Sequence, residues 1–159
     1  RTTPIRVANP KCDSKTSGML KYETTFEAVA SRAGLDAEEV KKAEKTSTTG
    51  RDRRVGHFDW ELFRKSCRLN APTDIALTFA DYVSSENQDA RRFEQLTMET
   101  REFIEELELV SQARVTLINT RFPNPKEHRS ADLRSTIDRR SWRGNLTVVP
   151  ELKSDDFKH

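Results

Sequence analysis

The chain has 159 residues, of which 34% are charged and 34% hydrophobic, and its 28 basic and 26 acidic side chains give a formal net charge of +2. This balance excludes the strong basic field that draws many proteins to nucleic acid, and the low hydrophobic fraction predicts a thin core in one domain. Every apolar run is much shorter than the ~20 residues that a transmembrane helix needs. We therefore expect a cytoplasmic protein that has neither a membrane nor nucleic acid as a partner.

Cysteines and histidines are few and scattered. Cys12 and Cys67 lie far apart, and His57, His128 and His159 lack the spacing of metal ligands. We therefore expect reduced thiols and no metal site. The chain also lacks a Gly-rich phosphate loop with its lysine and any Ser/His/Asp arrangement, so we predict no catalytic residue in it.

The first half of the chain predicts a strand, a loop and two short helices. Residues 2–7 have the pattern of a strand. Residues 8–21 are rich in Asn, Pro, Lys and Ser, which is typical of a loop. The residues predicted to cap the helices are Thr24 or Thr25 for the first, which runs through Ala30, and Asp36 with Glu39 for the second, which ends near Lys45.

The middle of the chain predicts a third helix and a buried strand. Asp59 is placed to cap this helix and Pro72 to end it. Residues 75–79 form a short apolar run typical of a buried parallel strand, with Asp81 at its carboxyl end, where ligands gather in open α/β sheets. The predicted inward face of the helix contains Leu62, Phe63, Ser66, Cys67 and Asn70.

An acidic helix, a strand and a basic tail follow. The helix is predicted from about residue 91 to residue 110, and most of its glutamates are predicted to face solvent. Residues 114–119 have the pattern of a strand. Residues 126–159 combine many arginines with few apolar residues, so we expect a separate tail that forms a peripheral helix or is partly disordered. The predicted inward stripe of the helix contains Leu96, Thr100, Phe103, Ile104, Leu107 and Val110.

Residues 46–56 concentrate groups that bind anions. They contain four hydroxyl side chains, two glycines and three arginines. The glycines permit a positive φ or a close backbone approach, the hydroxyls and amides donate to carboxylate or phosphate oxygens, and arginines bind such groups bidentately. The pattern indicates an anion-binding loop, although the spacing alone fits a polar surface hairpin equally well.

The segment from Thr48 to Asp59 resembles the T-T-G-R-x-R-R-x-G-W/F-x-D stretch of adenylosuccinate synthetases, the purine-biosynthetic ligases that join aspartate to IMP at the expense of GTP. Residues 1–7 resemble the family's R-T-x-P-I-R-V strand, and residues 74–81 its nucleotide-base strand, L-T-K-L-D. Residues 93–107 and 114–121 resemble the helix, strand and loop that follow. The resemblance implies that residues 1–125 form the C-terminal part of that family's α/β fold, a P-loop-related mixed sheet with flanking helices.

The resemblance also implies roles for single residues. Arg51 matches the arginine that reaches toward the nucleotide substrate, and Arg53 matches the arginine between aspartate and the nucleoside triphosphate. The residues that match the loop around the aspartate carboxylates are Ser47, Thr48, Thr49 and Gly50, and those nearest to the nucleotide-base contacts are Phe79, Asp81, Asn119, Thr120 and Arg121.

Two neighbours of these residues leave alternatives open. Asp52 either pairs with a neighbouring arginine and pre-sets the loop or weakens aspartate binding. Arg54 is either a functional residue or the partner of a helix carboxylate, Asp59 or Glu61.

Two departures from the family pattern bear on function. The family's G-D-E-G-K-G-K phosphate loop and catalytic histidine are absent from this sequence. We therefore expect a C-terminal portion that needs a missing N-terminal half, with GTP or ATP and Mg²⁺ as co-substrates of the complete enzyme and the Mg²⁺ ligands outside this chain. Phe79 replaces the lysine that packs on guanine in many members, whereas Asp81 keeps the carboxylate, a pattern that favours the compact archaeal and phage-like branch.

The sequence thus predicts the substrate- and base-recognition portion of an adenylosuccinate synthetase-like ligase that binds a purine nucleotide and L-aspartate, with a homodimer as one assembly to consider. One alternative is a phage-type variant that joins aspartate to dGMP. Another is a non-catalytic purine-nucleotide-binding or assembly module that has kept the loop and lost the chemistry. RNA binding by the basic tail is the weakest alternative, because the interleaving of aromatic with basic residues that stacking needs is absent apart from Trp142.

Overall fold

The structure is a computed structural model, and it describes residues 1–8, 18, 20–45, 50–120 and 136–140. The helices in these residues are α1 (Phe26–Ala33), α2 (Ala37–Ala43), α3 (Trp60–Asn70) and α4 (Met98–Ser111), with short 3-10 turns at Ala80–Tyr82, Ser85–Asp89 and Phe93–Gln95. The strands are β1 (Ile5–Val7), β2 (Glu23–Thr24), β3 (Arg53–Gly56), β4 (Asp74–Leu77), β5 (Arg114–Asn119) and β6 (Thr136–Asp138).

The described strands form two small sheets. The first sheet has the order β1-β3-β2 with antiparallel neighbours. The second has the order β4-β5-β6, in which β4 and β5 are parallel and β6 is antiparallel to β5. A parallel pair needs a crossover connection, and α4 provides it. The predicted α/β class with flanking helices is confirmed, and the strands are divided between two sheets.

The three predicted helix caps are confirmed. Thr25 Oγ1 accepts a hydrogen bond from the Ala28 amide at 3.2 Å, and Asp36 Oδ1 accepts one from the Glu39 amide at 3.0 Å. Asp59 Oδ1 accepts a hydrogen bond from the Leu62 amide, also at 3.0 Å. Each side-chain oxygen satisfies a helix amide that has no partner inside the helix, which is why these residues fix where the helices begin.

The inward stripe of α4 is confirmed, but its predicted start is wrong. Thr100, Ile104 and Leu107 are buried, and the last two belong to the core cluster that contains residues of the second sheet. The chain before Met98 forms a 3-10 turn instead of helix, because Gln95 Oε1 accepts hydrogen bonds from the amides of the two arginines before that turn, at 2.9 and 3.0 Å.

One glutamate of α4 departs from the predicted solvated face. Glu108 Oε1 accepts from Arg139 Nη1 at 2.8 Å and from the Val115 amide at 2.8 Å. The Arg139 guanidinium also lies 4.2 Å from the ring centroid of Phe93. Glu108 therefore links α4 to β5 and to Arg139, the residue after β6.

The predicted inward face of α3 is wrong. No residue of α3 is buried, and the side chains of Leu62 and Leu69 are 47% and 76% exposed. The helix packs mainly through aromatic contacts, such as Phe63 with Phe58 at 5.4 Å between ring centroids. Of the five residues predicted to face inward, Phe63 and Cys67 are half-buried and the other three are exposed.

The prediction that residues 75–79 form a fully buried strand is wrong in part. Only Leu77 of β4 is buried, whereas Asp74 and Ala76 are exposed. The strand is covered on one face, so its side chains alternate between the core and the outside.

Candidate functional site

The structure describes only part of the predicted anion-binding loop. Ser47, Thr48 and Thr49 lie outside the described residues, as does Arg121. Gly50 has a φ of +58°, which confirms one of the two uses expected of the loop glycines, and Arg51 after it is exposed. The described part of the loop therefore leads from an exposed turn into β3, whose first residue is Arg53.

Arg53 is held by a buried carboxylate that the sequence did not reveal. Its Nη1 atom donates to Glu44 Oε2 at 3.1 Å, and the Glu44 residue is only 3% exposed. Arg1 donates to both oxygens of the same carboxylate, with an Nη1 to Oε2 distance of 3.3 Å. The phenol of Tyr82 donates to Glu44 Oε1 at 3.4 Å. Arg1, Glu44, Arg53 and Tyr82 are named the Glu44 cluster below.

The Tyr82 phenol is a permanent donor in this cluster. Burial raises its pKa above the ordinary value for tyrosine, and the neighbouring Glu44 carboxylate raises it further. The hydroxyl therefore stays protonated throughout the neutral range. The signal that a sequence reading could have used is that Glu44 lies one helical turn after the buried Val40, and a buried acid is expected to be paired.

Phe79 joins this cluster to the end of β4. The guanidinium of Arg1 lies 3.9 Å from the centroid of the Phe79 ring, and the rings of Phe79 and Tyr82 are 4.9 Å apart. The Phe79 carbonyl accepts hydrogen bonds from Thr2 Oγ1 and from the Tyr82 amide. A predicted base residue, Phe79, and a predicted substrate residue, Arg53, thus meet through Arg1 and Tyr82.

Phe79 also has an unusual backbone. Its φ is 64° and its ψ is 47°, in the left-handed region that bulky side chains rarely adopt. Such strain costs on the order of 1–3 kcal/mol and is concentrated at functional sites. The contacts of its carbonyl with Thr2 and Tyr82 hold this conformation in place.

The other predicted base residues lie at the same edge of the second sheet. Leu77 of β4 is paired with Ile118 of β5, so the carboxyl ends of these parallel strands are adjacent. Asp81 and Thr120 follow them, and both are 0% exposed, whereas Asn119 is half-buried. The structure therefore brings the four described base residues to one edge and encloses two of them.

A buried asparagine that the sequence did not single out supports this edge. Asn87 Nδ2 donates to the Ala80 carbonyl at 3.0 Å and to Thr100 Oγ1 at 2.8 Å. Its Oδ1 accepts from the Thr97 amide at 2.9 Å. Asn87 thus fixes the turn that carries Asp81 against the start of α4.

The structure gives Asp52 and Arg54 other ion-pair partners than those named in one of the two alternatives for each. Asp52 pairs with Lys45, at 3.6 Å between Oδ1 and Nζ, and within the described residues no ion pair joins it to an arginine. Arg54 pairs with Glu23 and donates to the Gly18 carbonyl at 3.0 Å. Since successive residues of a strand face opposite sides, Arg54 faces away from Arg53 and the Glu44 cluster. The two carboxylates expected for Arg54 have other roles, because Asp59 caps α3 and Glu61 pairs with Lys21 at 2.7 Å.

Neither Asp52 nor Arg54 is expected to stabilise the protein strongly. The Lys45–Asp52 pair is exposed on both sides, and such pairs contribute about 0–1 kcal/mol. We expect Asp52→Asn to change the free energy of unfolding by less than about 0.5 kcal/mol, measured by urea denaturation. A loss above about 1.5 kcal/mol would show that the carboxylate sets the loop through another contact.

Gly56 permits its own backbone to approach the backbone of Tyr22 closely. A Cβ atom at this position would lie 2.7 Å from the Tyr22 carbonyl oxygen, because the first sheet is closed by a hydrogen bond of 2.8 Å from the His57 amide to that carbonyl. We expect Gly56→Ala to reduce the free energy of unfolding by about 2 kcal/mol, since backbone must move. Gly50→Asn is the matched control, and its open surroundings and αL-tolerant side chain predict a change of about 0.5 kcal/mol or less. Equal losses in the two variants would contradict the steric explanation.

The described residues do not form a metal site. Within the ranges that the structure describes, no group of three or more His, Cys, Asp and Glu side chains is suited to hold a metal ion.

No helix in these ranges is long and apolar enough to cross a membrane.

Part of this chain is similar to known adenylosuccinate synthetases. Residues 18–88 match the family model of adenylosuccinate synthetase. The adenylosuccinate synthetase of Methanocaldococcus jannaschii is 41% identical over 102 residues, which are 64% of this chain and 29% of that protein. That of Methanococcus maripaludis is 40% identical over 100 residues, 63% of this chain and 29% of the relative. That of Methanosphaera stadtmanae is 36% identical over 110 residues, 69% of this chain and 30% of the relative.

A solved structure shares the fold. It is the cyanophage S-2L succinoaminodeoxyadenylate synthetase bound to dGMP and to dATP as an energy donor, with a TM-score of 0.52 and 20% identity. The match covers 86% of this chain and 31% of the phage enzyme. At this identity the likeness concerns the fold alone. The chain spans less than a third of the length of the archaeal relatives described above, and over the part that they match, its predicted resemblance to the adenylosuccinate synthetase family is confirmed.

Proposed function

We propose that this chain is the part of an adenylosuccinate synthetase-like ligase that recognises L-aspartate and the purine nucleotides. The observation that carries the proposal is the family match over residues 18–88. That range contains both the arginine loop after Gly50 and the turn with Phe79 and Asp81. The structure supports the proposal because Arg1 contacts both the ring of Phe79 and the carboxylate that binds Arg53.

The chemistry of these residues suits acidic ligands. In the proposed reaction, a nucleoside triphosphate transfers a phosphoryl group to the purine 6-oxygen, and the aspartate amine then displaces the phosphate. The two carboxylates of aspartate and the phosphoryl group place several negative charges in one site. Fixed guanidinium groups stabilise such charge without having to reorganise during the reaction. Arg51 and Arg53 supply these groups, while the phosphate loop and the catalytic histidine belong to a part of the enzyme outside this chain.

The test is an assay of the full-length protein that contains this sequence. We expect it to form adenylosuccinate from IMP, L-aspartate and GTP with Mg²⁺, and to form none when aspartate is omitted. A full-length protein that forms no aspartyl nucleotide with any purine acceptor would overturn the proposal. Calorimetric titration of the 159-residue chain alone then tests the alternative of a non-catalytic module, which predicts micromolar binding of a purine nucleotide without the remainder.

The position of Phe79 raises a second candidate for the substrates. Many family members carry a lysine there that packs on guanine, and here the ring packs on the guanidinium of Arg1. An aromatic ring has no ammonium to offer the guanine O6, so this site gives less preference for GTP over ATP. Parallel assays with GTP and ATP as donors, and with IMP and dGMP as acceptors, separate the IMP-type reaction from the phage type. A strong preference for GTP would show that Phe79 does not set the donor.

A further inference from the structure

We propose that Glu44 is a positioning residue that fixes the guanidinium of Arg53 for the acidic substrate, an inference that rests on the proposed function. Glu44 is 3% exposed, and its carboxylate accepts from Arg53, Arg1 and Tyr82. It lies directly after α2, in neither the arginine loop nor the base edge. Its role follows from its contacts and not from any resemblance of its own position.

Arg53 is anchored at one end. Within the described residues, the Arg53 guanidinium donates a hydrogen bond from Nη1 to Glu44, and the Arg53 side chain remains 26% exposed. A guanidinium carries five donors in a rigid fork. One nitrogen of the fork is thus bound to the buried carboxylate, and within the described residues no side-chain hydrogen bond occupies the other two nitrogens. That arrangement suits bidentate binding of a carboxylate or phosphoryl group.

The anchor matters because an unheld arginine is flexible. Its long side chain has many rotamers, and part of that rotamer entropy is lost whenever a ligand orders it. A group already held in the binding geometry avoids that loss. Arg1 and Tyr82 hold the Glu44 carboxylate in turn, and Arg1 stacks on Phe79. The cluster therefore couples the orientation of Arg53 to the edge that carries the base residues.

The test compares Glu44→Gln with Glu38→Gln in the full-length enzyme. Both changes remove a carboxylate at α2, but Glu38 is exposed and Glu44 is buried. We expect Glu44→Gln to lower kcat/KM for aspartate about tenfold and to change the KM for the nucleotide acceptor less than about twofold. Glu38→Gln should have kcat/KM values close to those of the wild type.

A double variant separates positioning from general stability. If Glu44 acts through Arg53, then adding Glu44→Gln to Arg53→Gln should cost less than about a further twofold. An equal tenfold loss in that background would overturn the inference, as would Glu44→Gln behaving like Glu38→Gln. If Glu44→Gln does not fold, Tyr82→Phe removes one donor to Glu44 without removing a buried charge. We then expect a loss of about threefold, and an unchanged kcat/KM would overturn the inference.

The same assays distinguish the two proposals. A wild-type enzyme that makes no aspartyl nucleotide overturns the proposed function and the role of Glu44 with it. An active wild type combined with an unaffected Glu44→Gln variant overturns the role of Glu44 alone. An active wild type with the aspartate-specific, Arg53-dependent loss supports both.

Discussion

Replacing Asn87 by alanine is expected to reduce the free energy of unfolding by about 3 kcal/mol, a large share of the stability of a domain of this size. The Asn87 side chain is 0% exposed and makes three hydrogen bonds. Its removal leaves the Ala80 carbonyl and the Thr97 amide without this partner in a site that water does not reach. It also leaves a cavity beside Thr100, which adds to the loss.

Asn70→Ala is the matched control for this change. Asn70 is exposed at the end of α3, where its Nδ2 donates to the Ser66 carbonyl at 2.8 Å, so water can replace the lost group. We expect a change of about 0.5 kcal/mol for Asn70→Ala, with both variants measured by urea denaturation monitored by circular dichroism. Comparable losses at the two positions would show that the buried network of Asn87 does not stabilise the turn that carries Asp81.

Local signals were sufficient to predict many elements of this fold. The caps at Thr25, Asp36 and Asp59 are each followed by a helix. The strand β5 spans the predicted residues 114–119, and the stripe of α4 is buried at Thr100, Ile104 and Leu107. In each case the cause lies within a few residues of sequence. Capping needs one side-chain oxygen near the first amides, and periodicity needs one covered face.

The contacts that the sequence did not reveal join distant residues. Glu44 and Arg1 are 43 positions apart, and nothing local shows that Arg53 shares the same carboxylate. The helix carboxylates considered for Arg54 were near in sequence, but β3 places it beside Glu23, 31 positions away. The division into two sheets likewise depends on which strands pair. The site was therefore predictable as residue types in a loop and at a strand end, but not as the cluster that connects them.

Replacing Arg51 or Arg53 by leucine is expected to lower kcat/KM of the full-length ligase by about 100-fold or more, because each removes a fixed positive charge from the proposed site. The two variants should differ in stability. Arg51 is exposed, so Arg51→Leu should change the free energy of unfolding by less than about 0.5 kcal/mol. Arg53→Leu removes one of the donors to the buried Glu44 carboxylate and should reduce it by about 2 kcal/mol, with Arg1 and Tyr82 retained as partners.

Arg54→Leu is the matched control for the activity losses expected in the Arg51 and Arg53 variants. Arg54 lies in the same strand as Arg53 and loses the same charge, but it pairs with Glu23 on the opposite side of β3. We expect its kcat/KM to fall less than about fivefold. If all three variants lost activity equally, net charge would be the cause, and the roles implied for Arg51 and Arg53 would be wrong. If Arg53→Leu retained activity near that of the wild type while losing stability, Arg53 would serve only to neutralise Glu44, and the acidic substrate would have to be bound by other residues.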